Sequence, residues 1–172
     1  MTFFFFGTLR DQGLLESVLG RTSTHLTKTD GWIDGFATRR AKDETFPVLI
    51  EEDGARLSGI VVEGLSDNDM ARIRFFEDTF YEASSVTVET NEGHKLAQMF
   101  LVTDPTQATD DVWSFESWSE RDRAILRHMA VAFVSLYGIK TYEEADEEWE
   151  AMRERAVRAV DDNLVSQRSE VA

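Results

Sequence analysis

The chain has 172 residues, of which 42% are apolar, and this lies within the usual size of one compact domain with its own core. Its 33 acidic and 18 basic side chains give a formal net charge of -15, and such a surface repels phosphate backbones, which argues against a nucleic-acid partner. With no cysteine and only three histidines, the sequence predicts neither disulfides nor a metal site, and we expect no cofactor.

Two uncharged apolar runs bear on whether the chain enters a membrane. Residues 1–6 are too few and lack a basic start, and residues 129–137 are also too few, because crossing a bilayer as a helix takes about 20 residues. We therefore expect a cytoplasmic protein with no membrane partner.

The N-terminal part of the chain predicts a strand, a glycine turn and a helix. Four consecutive phenylalanines within residues 2–6 are typical of a strand that is buried on both faces. Residues 7–10 break this pattern, Asp11 is a good N-cap, and Gly20 ends the following helix. The apolar face of that helix comprises Leu14, Leu15, Val18 and Leu19.

Residues 31–102 predict a largely β segment with short strands. Turn residues that separate these strands occur at 52–54, 64–67 and 91–93. The second of these turns leads into a short predicted helix.

This short helix is predicted to begin in residues 66–69. Met70 and Ile73 would form its buried face and Phe76 would complete the apolar stripe. The helix leads directly into Glu77.

A boundary is predicted near residue 104. Residues 104–111 are polar enough to be a linker, and Pro105 follows the last predicted strand. We therefore expect one domain over residues 1–104 and a helical extension packed on it over residues 105–172.

Two helices are predicted in the extension. Ser117 and Glu120 have capping-box spacing, and the helix that they start would end at Gly138; Thr141 and Glu144 repeat the spacing. The first apolar stripe comprises Leu126, Met129, Ala130, Phe133, Leu136 and Tyr137, and the second comprises Ala145, Trp149, Met152, Ala156, Val160 and Leu164.

The two stripes predict a helical hairpin that docks through Trp149, Met152 and Leu136. An apolar helical stripe usually means burial, so the hairpin is interpreted as a stabilising extension. A homodimer contact through these helices is the alternative.

The first candidate for a site is Phe6-Gly7-Thr8-Leu9. Here a buried strand ends, a glycine lets a ligand approach the backbone, and exposed amide groups could hold a carboxylate. A plain structural turn would have the same sequence, so this motif alone does not decide.

The second candidate is Glu77, which is flanked by Phe75, Phe76 and Phe80 and followed four positions later by Tyr81. Aromatic neighbours desolvate a carboxylate and raise its pKa from about 4.3 toward neutrality, the range useful for a general acid/base. The alternative is an ordinary surface glutamate beside aromatic core residues.

The two motifs, in this order, resemble the gamma-glutamylcyclotransferase-like family, including its AIG2-like branch. The family's substrate-binding Tyr-Gly-Ser/Thr-Leu corresponds to residues 6–9, and its Leu-Asp-x-Phe/Tyr-Glu-Gly pattern followed by Tyr corresponds to residues 73–81. The resemblance covers about residues 2–102. Further matching marks are Gly35, residues 46–49, Gly54, Gly59 and residues 65–67.

The resemblance implies an α+β fold, a small mixed β-barrel of gamma-glutamylcyclotransferase-like type, here with a C-terminal helical hairpin. It implies a transferase or cyclising enzyme that converts a small-molecule gamma-glutamyl amine or peptide to 5-oxoproline and the free amine. Glu77 would be the catalytic general acid/base. The substrate-binding residues would be Phe6, Gly7, Thr8, Leu9 and Tyr81.

Three departures from the family pattern bear on function. Phe6 replaces the usual tyrosine and offers no hydroxyl, and Arg74 and Asp78 stand where aspartate and glycine are common. Asp78 is compatible with a glycine-like turn, because aspartate adopts left-handed backbone angles more readily than most residues. Two alternatives follow: a binding module of the same fold that has lost turnover, and an enzyme that acts on another acyl-amine.

Overall fold

The computed structural model describes residues 1–77, 81–102 and 105–170 of the chain. The strands are β1 (Thr2–Phe5), β2 (Thr27–Ala41), β3 (Pro47–Glu63), β4 (Tyr81–Thr90), β5 (Gly93–Val102) and β6 (Ala108–Val112). The helices are α1 (Gln12–Leu19), α2 (Asp67–Glu77), α3 (Phe115–Arg121), α4 (Arg123–Val134), α5 (Tyr142–Asp146) and α6 (Trp149–Glu170). Short 3-10 helices cover Thr8–Arg10 and Pro105–Gln107.

Five strands close into a mixed barrel, as predicted. The sheet runs β3-β1-β5-β4-β2, and β2 pairs back with β3 to close it. Strand β1 runs parallel to β5, whereas β1–β3, β2–β3, β2–β4 and β4–β5 are antiparallel. The sixth strand, β6, pairs antiparallel with β2 outside this closed ring.

The four consecutive phenylalanines connect two cores, which confirms a strand buried on both faces. Phe4 and Phe6 belong to the cluster that all five barrel strands share inside the barrel. Phe3 and Phe5 belong to the second cluster, between the sheet and the helices, and their ring centroids lie 5.1 Å apart. Alternate side chains of one strand therefore fill both cores.

Helix α1 has the predicted caps. The Asp11 carboxylate accepts a hydrogen bond from the backbone amide of Leu14 at 2.8 Å, and Gly20 ends the helix with a φ of 69°. The same carboxylate accepts two hydrogen bonds from the Arg127 guanidinium in α4, at 2.7 and 2.8 Å. Asp11 therefore joins a helix of the predicted domain to a C-terminal helix.

Helix α2 also begins where the sequence predicts. The Asp69 amide donates to Ser66 Oγ at 3.2 Å, and the Ser66 amide donates to Asp69 Oδ2 at 2.8 Å. Burial alone would raise the pKa of Asp69, but hydrogen bonds from Arg21 and Ser66 lower it to about 2. This buried ion pair holds the start of the helix that ends at Glu77.

The turn predicted at residues 52–54 is wrong. Strand β3 continues through these residues, and the β2–β3 register breaks between Asp34 and Phe36. Gly35 has a φ of 82° and Gly54 a φ of 77°, so both glycines lie in an irregularity inside a long hairpin. Residue types that often end a strand therefore lie within a bend of β3 here.

The turn predicted at residues 91–93, between β4 and β5, is confirmed.

The linker predicted over residues 104–111 is also wrong for residues 108–111, which belong to β6. Ala108 pairs with Ala41 and Val112 with Arg39, and Thr109 Oγ1 donates to the Arg40 carbonyl at 2.9 Å. An edge strand of this kind depends on backbone hydrogen bonds, so its polar side chains can face solvent. A separate domain over residues 1–104 stays a prediction.

Each of the two predicted C-terminal helices is divided into two. Ser114, not Ser117, caps α3, because its side chain accepts from the Ser117 amide at 3.1 Å. The helix is then interrupted at Asp122, and α4 begins at Arg123. The Thr141–Glu144 capping box is confirmed, but it starts the short α5, and α6 begins only at Trp149.

The predicted docking residues do pack on the barrel side of the molecule. Met152 is buried in the same cluster as Phe3, and Leu136 and Trp149 pack against that cluster. The helical extension therefore shares a core with the barrel. A dimer contact stays a prediction.

None of the helices in the described part of the chain is long and apolar enough to cross a membrane.

Candidate functional site

A cavity of about 360 Å³ lies where the end of β1, the β2–β3 loop, the end of α2 and the C-terminal helices meet. Both predicted motifs line it: residues 6–9 from one side and Glu77 from another. The fold therefore brings together two segments that are about 70 residues apart in the sequence.

The first motif forms the turn after β1. The Arg10 amide donates to the Gly7 carbonyl at 3.2 Å, and the Asp11 amide donates to the Thr8 carbonyl at 3.0 Å. The backbone amides of residues 7–9 precede the first donor of this turn, so none of them donates a hydrogen bond within it, as at any helix start. They are available to an anion or a carbonyl oxygen in the cavity.

The missing side chain of Gly7 leaves space for a neighbouring residue. Its φ is -98°, which side chains tolerate. A Cβ atom at this position would lie 3.0 Å from Pro47 Cγ. The neighbour that approaches this glycine is thus the first residue of β3.

Glu77 is the last residue of α2, and its half-buried side chain lines the cavity. Phe75 and Phe76 precede it and contact Phe133 of α4, at ring-centroid distances of 5.2 and 6.4 Å. Although the carboxyl reaches the cavity, surrounding protein atoms desolvate it, and this burial raises the pKa of Glu77 to about 7. The shift has the direction that the aromatic neighbours predict.

Three predicted positions follow Glu77 closely. Tyr81 begins β4, and its backbone pairs with Val102 of β5. The structure does not describe its side chain. Asp78 and Phe80 also lie outside them. Substrate binding by Tyr81 and the glycine-like turn at Asp78 therefore stay predictions.

Two other walls of the cavity were not predicted from the sequence. One is the β2–β3 loop with its flanking residues, and the other is formed by α4, α5 and α6. The aromatic stripe of the C-terminal helices was interpreted as packing alone, whereas it also faces the cavity. The additional lining residues are Ala41, Lys42, Glu44, Phe46, Pro47, Val48, Leu126, Phe133, Tyr142, Asp146 and Trp149.

Glu44 is a second carboxylate in the cavity wall, and it is paired. It forms an ion pair with Arg153 of α6, which also donates from Nη1 to the Asp43 carbonyl at 3.2 Å. Burial raises the pKa of Glu44, while the charge and hydrogen bond of Arg153 act in the opposite direction. Glu77 has no such cation among the causes of its shift, so the two carboxylates differ in character.

Within the described ranges, no group of three or more histidine, aspartate or glutamate side chains is arranged to hold a metal ion. The cavity combines apolar walls, backbone amides and one carboxyl whose proton exchanges near neutral pH.

The sequence of this chain matches both a family model and a known protein. The family model described as gamma-glutamyl cyclotransferase, AIG2-like, matches residues 3–120. AIG2-like protein C of Arabidopsis thaliana is 23% identical over 123 residues, which are 70% of each chain.

Two solved structures share the fold. A second A. thaliana protein, determined in solution, has a TM-score of 0.55 at 20% identity, covering 87% of this chain and 83% of its own. The crystal structure of an AIG2-like protein from Mus musculus has a TM-score of 0.51 at 16% identity, covering 66% and 87%. At such identities these two structures are informative about the fold alone.

Proposed function

Because this chain belongs to the gamma-glutamyl cyclotransferase, AIG2-like family, we propose that it cyclises a gamma-glutamyl amine or peptide to 5-oxoproline and releases the amine. One observation carries the proposal. Glu77, whose pKa is raised to about 7, lines the same cavity as the turn at residues 6–9.

The reaction needs no covalent enzyme intermediate. The substrate's own α-amino nitrogen attacks its γ-carbonyl carbon, the ring C–N bond forms, and the bond to the leaving amine breaks. A cavity that holds the flexible glutamyl chain in its ring-closing conformation accounts for much of the acceleration, since well-oriented intramolecular reactions reach effective molarities of about 10⁵ to 10⁸ M.

Glu77 would move the proton. It takes one from the attacking ammonium group and returns one to the leaving nitrogen, so the carboxyl ends the cycle as it began. A pKa near 7 suits both steps, because at neutral pH the group is present in both protonation states. Such a carboxyl typically contributes about 10² to 10⁴ in rate.

The amides of residues 7–9 would hold the gamma-glutamyl group. Two observations support this role: residues 7–9 line the cavity, and none of their amides donates a hydrogen bond within the turn. Phe6 cannot add the hydroxyl that the family usually has at this position, so binding here relies on the backbone.

The second candidate is a binding module of the same fold without turnover, and Phe6 favours it. In that case the Glu77 carboxylate pairs with the ligand ammonium group and transfers no proton. The two candidates differ in whether 5-oxoproline is formed.

The test is a 5-oxoproline assay over a panel of gamma-glutamyl amines and peptides. With Glu77→Gln we expect turnover to fall by about 10² to 10⁴, because an amide of nearly the same shape cannot accept the proton. Glu82→Gln is the matched control, since Glu82 is exposed at the start of β4, and it should stay within about twofold of wild type.

Two results would revise the proposal. If Glu77→Gln retains more than about a tenth of wild-type turnover, Glu77 is not the base. If wild type forms no 5-oxoproline from any compound but binds gamma-glutamyl ligands in calorimetry, the binding-module candidate is correct.

A further inference from the structure

The cavity has walls that the gamma-glutamyl group does not need. If residues 6–9 and Glu77 hold that group, as proposed above, then the leaving amine faces the remaining lining. This lining comes from the β2–β3 loop on one side and from α4, α5 and α6 on the other.

The helical wall is an aromatic cluster centred on Phe133. Its ring centroid lies 5.3 Å from that of Trp149, at an interplanar angle of 87°, and 5.9 Å from that of Tyr142, at 62°. These edge-to-face contacts join α4, α5 and the start of α6, so the three rings have a defined geometry. They form an apolar surface on one side of the cavity.

The loop wall is also apolar and is firmly attached. Phe46 and Pro47 line the cavity. The Ala41 amide donates to the Phe46 carbonyl at 3.0 Å, and Trp113 Nε1 donates to the Thr45 carbonyl at 2.8 Å. These bonds hold the loop in place, and Trp149 of the aromatic cluster also donates a side-chain hydrogen bond to Glu44 of the loop.

The charged groups in this region do not create a charged subsite between the two walls. Glu44 is paired with Arg153. Lys42 and Asp146 are exposed, and the Asp146 carboxylate accepts a hydrogen bond from the Tyr142 hydroxyl at 3.4 Å. The surface left for the amine is aromatic.

We propose that the amine released by this protein is apolar, an arylalkyl or alkyl amine, and that Phe46, Pro47, Phe133, Tyr142 and Trp149 form its subsite. This inference rests on the proposed function. Phe133, Tyr142 and Trp149 lie beyond residues 3–120, which the family model matches, so three of these five residues come from the C-terminal helices.

The test compares gamma-glutamyl amides that differ only in the amine: methylamine, butylamine, phenethylamine and 1,4-diaminobutane. Binding is measured by calorimetry on the Glu77→Gln protein, in which turnover is not expected. Each fully buried methylene is worth about fourfold in affinity. We expect phenethylamide to bind at least about tenfold more tightly than methylamide, and butylamide to bind more tightly than its 4-amino analogue.

Trp149→Ala, added to the same protein, should reduce the preference for phenethylamide to below about threefold while methylamide affinity changes little. Trp32→Ala is the matched control, because Trp32 is a half-buried tryptophan that contacts Arg56 and lies outside this cavity lining. If Trp149→Ala does not fold, Trp149→Leu keeps an apolar side chain and should retain an intermediate preference.

Equal affinity for all four amides, or tighter binding of the 4-aminobutyl amide, would overturn the apolar subsite but leave the proposed function standing. No binding of any amide, by wild type as well as by Glu77→Gln, would overturn both. An unchanged preference in Trp149→Ala or Trp149→Leu would remove Trp149 from the subsite.

Discussion

Glu77 combines a partly accessible carboxyl with a strongly desolvating environment. Its side chain reaches the cavity, yet burial raises its pKa to about 7 from an ordinary value of 4.5. A structural carboxylate is usually stabilised in its charged form by a partner, as Asp69 is by Arg21. A carboxyl whose charged form is disfavoured therefore lowers the free energy of unfolding at neutral pH. Residues that lower stability in this way are common at functional sites.

This residue gives a prediction about stability that does not depend on turnover. Between pH 4.5 and 7 the folded state keeps a proton on Glu77 that the unfolded state releases, so Glu77 makes the protein less stable as pH rises through this window. Above pH 7 Glu77→Gln should therefore be more stable than wild type by about 2–3 kcal/mol, and the two should be similar near pH 4.5.

Urea unfolding of both proteins at pH 4.5, 6 and 8 measures this difference. A difference that does not change with pH would mean that the Glu77 carboxyl titrates near its ordinary value.

The sequence was informative about the individual residues of the first motif, but not about why each is there. Phe6 was expected at the end of a buried strand, and it is buried. Gly7 was attributed to close approach of a ligand, which stays a prediction, and its missing side chain also makes room for Pro47. That contact joins positions 40 residues apart, so local sequence could not predict it.

At the scale of elements, the β2–β3 loop and α6 act together. Arg153 binds both the Glu44 side chain and the Asp43 carbonyl, so one residue of α6 holds the loop that lines the cavity. Burial raises the pKa of the half-buried Glu44 carboxyl, and this cation counteracts part of that effect.

Loss of this contact should destabilise the protein. We expect Arg153→Met to lower the free energy of unfolding by about 1–3 kcal/mol, because it leaves Glu44 half-buried without its ion pair. Arg158→Met is the matched control on the same helix, since Arg158 pairs only weakly, at 3.7 Å, with the exposed Glu154; its effect should stay within about 0.5 kcal/mol.

Denaturant unfolding of the two single variants and of Glu44→Gln/Arg153→Met measures both effects. The double variant should recover part of the loss, because a neutral amide is easier to bury than an unpaired carboxylate. Equal destabilisation by Arg153→Met and Arg158→Met would show that the loop contact adds nothing.

Elements with local signals were predicted well, and those that depend on distant pairing were not. The caps of α1, α2 and α5 are encoded within three or four residues, and all three are present. Strand β6 gains its hydrogen bonds from β2, about 70 residues earlier, and its own sequence is that of a linker. The irregularity at Gly54 likewise depends on its partner strand.

At the scale of the whole molecule, the C-terminal helices and the barrel share one core and one cavity. The barrel was predicted by resemblance, and the docking of the helices by their apolar stripes. That the same stripe would line the site could not be read from the sequence. A stripe shows which face is buried, and only the fold shows that part of this buried face borders a void.

The most direct test of the account is the pH dependence of kcat/KM for 5-oxoproline formation, measured from pH 5 to 8 with the fastest substrate of the panel. Because the free carboxyl of Glu77 must be deprotonated to act as base, kcat/KM should rise about tenfold per pH unit at low pH and level off near pH 7. A profile that levels off near pH 4.5, or an unchanged acid limb in Glu77→Gln, would contradict the role of Glu77 as the general base.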